Sequence, residues 1–143
     1  MQGRQSQGRI ETLAREALSL FRQANESRGE AEACRLLGQA LHKRGSLPEA
    51  LHEYDAARRI LLRLTDREPE NTDFQRDLSV VQTYIGAVLQ AQGQLRDALR
   101  EYQAYEQIMR RLVQREPENT VATATFGGTD PGRWRPPGPR SSE

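Results

Sequence analysis

The sequence predicts an all-α, right-handed solenoid of about five antiparallel helices. Three observations predict it: an internal repeat, apolar residues spaced for helices, and start and stop signals that cut the chain into helix-length segments. The stretch from Gly38 to Thr72 is written again from Gly86 to Thr120, a step of 48 residues with 18 of 35 paired positions identical. The identical positions include the whole run Arg-Glu-Pro-Glu-Asn-Thr. A period of about 20 to 50 residues marks a stacked array, because a single helix pair cannot bury its apolar face without a neighbour.

The segments follow in order. Residues 1–8 are too polar to pack and are expected to fray. From Ile10 the apolar side chains fall at Ile10, Leu13, Ala14, Ala17, Leu18, Leu20 and Phe21, the spacing of one helix face. Ser27 and Glu30 have the form of a capping box for a second helix, in which hydroxyl and carboxylate satisfy amides of the first turn. That helix runs to about Arg44 with Ala33, Leu36, Leu37, Ala40 and Leu41 inward, and Gly45 closes it in a left-handed conformation. Ser46 with Glu49 opens the third helix, with Pro48 in the first turn where its missing amide proton is not needed. It ends near Arg67, before Pro69. Thr72 with Gln75 opens the fourth, which runs to Gly93. The fifth spans about Leu95 to Arg115, with Leu95, Ala98, Leu99, Tyr102, Tyr105, Ile108, Met109 and Leu112 on its buried side.

At Thr120 the repetition stops, and residues 121–143 hold four prolines and four glycines, a composition with little to bury. The expected organisation is therefore a disordered N-terminus (1–8), a helical domain (9–119) and a disordered tail (120–143). The helical domain divides into a half unit (9–26) and two units (27–71 and 72–119).

Composition narrows the function classes. With 21 basic and 20 acidic residues there is no global field to gather nucleic acid or an acidic membrane, so neither is expected as a partner. A hydrophobic share of 36% beside 29% charged residues suits a thin helical array, which has more surface per residue than a globule. The lone Cys34 excludes an intramolecular disulfide framework and a clustered thiolate metal site. The N-terminal residues lack the apolar core of a secretory signal, and the aliphatic run Ile60 to Leu62 is far short of a membrane span. A cytoplasmic location is the expectation.

The repeated pattern resembles the tetratricopeptide repeat in a lengthened form. Landmarks of that family read Cys34, Leu37-Gly38, Leu41, Ala50 and Tyr54 in one unit. In the other they read Gln82, Ile85-Gly86, Leu89, Ala98 and Tyr102. Cys34 and Gln82 stand where the family has an aromatic residue, Tyr105 replaces the small residue matched by Ala57, and each closing proline comes late. A glycine inside a helix costs about 1 kcal/mol relative to alanine. Gly38 and Gly86 thus need a reason, and close approach of the partner helix at Ala50 and Ala98 is the expected one.

The resemblance implies that the first helix of each unit lines a concave groove for a partner peptide or helix. By register from the Leu/Ile-Gly landmarks, the groove residues are Glu32, Arg35, Gln39, His42 and Lys43 in one unit. In the other they are Val80, Thr83, Ala87, Gln90 and Ala91. The first set is polar and mildly basic and the second nearly apolar, which suits a peptide with one acidic and one apolar end, Arg35 and Lys43 donating to the former. Thr83 and Ala87 disfavour the carboxylate-clamping version of the family, which uses Lys and Asn side chains across adjacent units.

Chemistry elsewhere is sparse. His42 and His52 lack ligand spacing, and Cys34 lies beside the apolar stripe as a small core residue. The glycines recur at repeat spacing and form no phosphate loop. No cofactor, metal or enzymatic activity is expected. Arg133, Pro136 and Pro139 have the spacing of a proline-rich SH3-type ligand. The alternative to a groove-binding scaffold is a piece of a longer array, self-associating through exposed terminal helices or serving as the regulatory part of a larger signalling protein.

Overall fold

The computed structural model describes residues 2–115, with side chains from Gly8 onward. It contains α1 (Gln2–Gln23), α2 (Ser27–Arg44), α3 (Leu47–Arg67), α4 (Thr72–Ala91) and α5 (Leu95–Arg115), with no strand among the described residues. Each helix packs against the next in sequence as consecutive antiparallel pairs, and α2 also touches α4. This is a helical-repeat arrangement: the two copies of the repeat are the pairs α2–α3 and α4–α5, and α1 lies against the first of them. The tail expectations, including Arg133, Pro136 and Pro139, lie outside the described residues.

The helix ends follow local chemistry, with corrections of a residue or so. Gly45 closes α2 at φ 89°, and its amide donates to backbone carbonyls of the preceding turn. Gly93 at φ 81° does the same service between α4 and α5. Leu47 and Pro48 begin α3 behind Ser46, but the Ser46 side chain makes no capping hydrogen bond. The other two expected caps are displaced. Glu26 caps α2 by accepting from the Gly29 amide, which leaves Glu30 to pair with Arg22 of α1. Asn71 caps α4 by accepting from the Asp73 amide at 3.0 Å, while Gln75 donates to the Pro69 carbonyl. In both places a longer acceptor stands one residue before the expected hydroxyl. α1 is described from Gln2, about two turns before Ile10.

One core runs through α1 to α5. Ala14 and Leu18 meet Ala33, Cys34 and Leu37; Leu41, Ala50, Tyr54 and Ala57 follow, and then Leu78, Val81, Ile85, Val88 and Ala98. Met109 and Leu112 make a smaller cluster with Tyr105 and Val113 at the end of α5. Several residues expected inside are outside. Ile10, Leu13 and Leu20 line the outer side of α1, Leu36 projects from α2, and Leu95 and Leu99 from α5. Helical spacing marks a stripe; which neighbours are present to cover it is a tertiary property.

The glycines inside helices also have a more specific cause than expected. A Cβ on Gly38 would stand 2.6 Å from the Tyr54 ring, and one on Gly86 2.7 Å from the Tyr102 ring. The tyrosine ring itself, rather than Ala50 or Ala98, occupies the space that the missing methyl leaves. Ala50 and Ala98 are nonetheless deeply buried in the same helix contact.

Candidate interaction groove

The contact between α2 and α4 places the first helices of the two repeats side by side. At their N-terminal halves they frame an open cleft of about 780 Å³. Its apolar lining comes from Phe21 of α1, Ala31 of α2, Leu61 of α3 and Val80 and Val81 of α4. The rim is charged: Glu26, Arg28, Glu32 and Arg35 on one side, Asp77 on the other. Arg28 donates to Asp77 at 3.0 Å across the helices and lies over the Phe74 ring, 5.6 Å from its centroid.

The aromatic step beside the cleft ties the repeats together. Tyr54 of α3 stacks on Tyr84 of α4 with ring centroids 5.4 Å apart and planes inclined by 12°. Offset stacking of this kind adds about 0.5–1.5 kcal/mol beyond area burial. Gln39 donates to the Tyr84 hydroxyl at 3.3 Å, and the Arg35 guanidinium lies 5.8 Å from the Tyr84 ring centroid. Arg35 also donates to Glu32 through two nitrogens and to Gln39 at 3.2 Å. The bond to Glu32 foremost, with the Glu32 charge and the neighbouring Tyr84, holds its pKa above the ordinary arginine value. Arg35 is thus a pre-engaged, fixed cation, and its donors are largely spoken for.

The groove residues expected from register separate into groups. Glu32, Arg35 and Gln39 come together in the network just described, and Val80 is exposed on the cleft wall. Thr83 and Ala87 are half-buried, the Thr83 hydroxyl donating back to the Val80 carbonyl at 2.7 Å. Gln90 accepts from the Tyr102 hydroxyl at 3.0 Å, which assigns it to the α4–α5 contact. His42, half-buried, and the exposed Lys43 and Ala91 sit at the C-terminal ends of the two helices, away from the lining of the cleft. Of the packing residues, Leu37, Gly38, Leu41, Ala50, Tyr54, Ile85, Gly86, Leu89 and Ala98 are buried, and Tyr102 is half-buried.

Tyr84, Arg28 and Asp77 were not singled out by sequence, and Phe21 was expected only on the apolar face of the first helix. A signal existed for Tyr84: its counterpart in the other copy is Leu36, and such a difference within a repeat marks a position with a local task.

Two buried groups beneath the surface are chemically quiet. Burial, reinforced by Glu53, pushes the Cys34 thiol from 9.0 up to about 12, so it stays protonated and unreactive. Burial likewise raises the Tyr54 hydroxyl well above its ordinary value. Among the described residues no group of three or more His, Cys, Asp or Glu side chains is placed to hold a metal ion. No described helix is long and apolar enough to cross a membrane. No family model, curated protein or solved structure matches this chain.

Proposed function

We propose that the chain is a non-enzymatic protein-interaction scaffold of the tetratricopeptide type, in a lengthened-unit form. It takes an apolar side chain of a partner peptide or helix into the cleft between α2 and α4. The observation that carries this reading is the cleft itself: an apolar floor of Phe21, Leu61, Val80 and Val81 under a charged rim that includes the cross-helix Arg28–Asp77 ion pair. An apolar anchor gains about 25 cal/mol per Å² of surface removed from water. Within the rim Arg28 is paired with Asp77 and Arg35 with Glu32, so these charges need no new counter-ion when a partner covers them. Because Arg35 already serves Glu32 and Gln39, selectivity rests on the apolar anchor more than on an acidic one.

The test is peptide selection by display against the full chain, followed by direct titration of selected peptides. Binding is expected to fall at least tenfold on Val80→Glu and to survive Arg59→Glu, which changes an exposed position of α3. Peptides that bind equally well to the Val80→Glu chain would overturn the assignment of the groove.

A further inference from the structure

α5 delivers the rest of the chain to the mouth of the cleft. The cleft lies at the end of the array where α1 and α3 finish and α2 and α4 begin, its lining running from Phe21 and Leu61 to Ala31 and Val81. α5 finishes at that same end: Arg115 donates to the Pro69 carbonyl at 3.4 Å and to the Glu70 carboxylate, both in the loop that leads into α4. From Thr72, the first residue of α4, Asp77 and Val81 lie about 8 and about 14 Å along the helix at ~1.5 Å per residue. A step of 19 residues separates Arg115 from Trp134. That length spans about 28 Å wound as a helix and about 65 Å extended, so it reaches the cleft in either form. Trp134 is the only tryptophan of the chain, set between Arg133 and Arg135 and followed by Pro136 and Pro137.

We infer that the segment around Trp134 occupies the cleft between α2 and α4 in cis, so that a partner must displace it; this rests on the reading of the cleft as a peptide groove. The indole is the largest apolar side chain the chain can offer to an apolar floor, and a cleft of about 780 Å³ is in the range that takes a ligand of that size. Pro136 disfavours the helical region for Arg135, so the segment enters extended, with Trp134 to one side and the two arginines to the other. With Trp134 on the floor, Arg133 and Arg135 face the rim. The rim carries three carboxylates, of Glu26, Glu32 and Asp77, against two guanidinium groups, of Arg28 and Arg35. Asp77 is paired with Arg28 and Glu32 with Arg35, while the Glu26 carboxylate accepts only the Gly29 amide among the described residues. The excess is acidic, the complement of a basic segment. Each exposed pair is weak. Tethering holds the segment at an effective concentration of about a millimolar, which is enough to populate a weak contact.

Because Trp134 is the sole tryptophan, its fluorescence reports its own surroundings in the full chain. Acrylamide is expected to quench it at least about threefold less in the full chain than in a synthetic peptide of residues 129–140, the shielding that a mostly occupied cleft gives at that effective concentration. Val80→Glu is expected to restore the quenching of the free peptide. Arg133→Glu with Arg135→Glu, two changes outside the described helices, is expected to raise quenching about twofold, the size of weak exposed pairs. Arg59→Glu is expected to leave it unchanged. Peptides selected on the groove are expected to unshield Trp134 as they bind, and to bind a Trp134→Ala chain at least about threefold more tightly than the unmodified one. Quenching in the full chain equal to that of the free peptide, shielding that survives Val80→Glu or the double arginine change, or equal peptide affinity for the Trp134→Ala and unmodified chains would each overturn the inference. So would shielding that fades on dilution, which would place the segment of a second copy in the cleft. Failure of the groove reading shows on a different readout: selected peptides indifferent to Val80→Glu, on a chain whose Trp134 stays shielded until that substitution is made.

Discussion

Gly38 and Gly86 occupy equivalent places, yet the rings they face are held differently. Tyr54 is fully buried and clamped by Tyr84, so a methyl group added at Gly38 has no route to displace it. Gly38→Ala is expected to lower stability by about 1–3 kcal/mol, overpacking exceeding the gain in helix propensity. Tyr102 has an open flank and turns aside, so Gly86→Ala is expected to cost clearly less. Urea midpoints of the two variants check this, and equal losses would contradict it. Cys34 supplies a second handle at the same scale. Its folded pKa of about 12 lies above the ordinary 9.0, so the folded state retains a proton that the unfolded chain releases in between. The stability this contributes is complete below about pH 9 and is lost as pH rises through the folded pKa. Relative to Cys34→Ala, the unmodified chain is therefore expected to lose stability from pH 9 upward; parallel pH profiles would show that the thiol is not protected. The aromatic contact of Tyr84 with Tyr54 was hidden from sequence for a related reason: a stack between residues on two different helices leaves no periodic trace in either.

At the level of the helix, number, order and most ends were legible because propensity, glycine conformation and proline act locally. The extents of α3 and α5 follow directly from Pro48, the left-handed Gly45 and Gly93, and the apolar stripe. The caps were misplaced by one residue because hydroxyl and carboxamide acceptors compete along Asn71-Thr72, and only the backbone angle decides between them. Asn71 has the extended conformation of a cap residue, and its side chain accepts the Asp73 amide. Asn71→Ala is accordingly expected to destabilise the chain by about 1 kcal/mol, while Asn71→Ser is expected to retain most of that. Thermal unfolding of the two variants measures the difference. No change on Asn71→Ala would return the cap to Thr72. The groove was legible only in part for a physical reason of the same kind: register fixes which side chains share a helix face. Whether Arg35 is free or engaged depends on the rotamers of Glu32, Gln39 and Tyr84, on two helices.

Across the whole molecule the stacking of helix on helix sets the distribution of stability. In a repeat array each unit contacts only its neighbours, so free energy is the sum of unit and nearest-neighbour terms. α2, α3 and α4 have partners on both sides, whereas α1 and α5 have one neighbour each among the described residues. The exposed Leu13 and Leu20 at one end and Leu95 and Leu99 at the other are the surface expression of that deficit. Helix ends with fewer neighbours open at lower free energy and exchange their amides sooner. Native-state hydrogen exchange on the full chain is therefore expected to show strongest protection from Ala33 to Leu61 and at Val81 to Leu89. Protection should fall off through α1 and α5. Uniform protection from α1 to α5 would mean that the described helices unfold as one cooperative block, and the nearest-neighbour account of their stability would not hold.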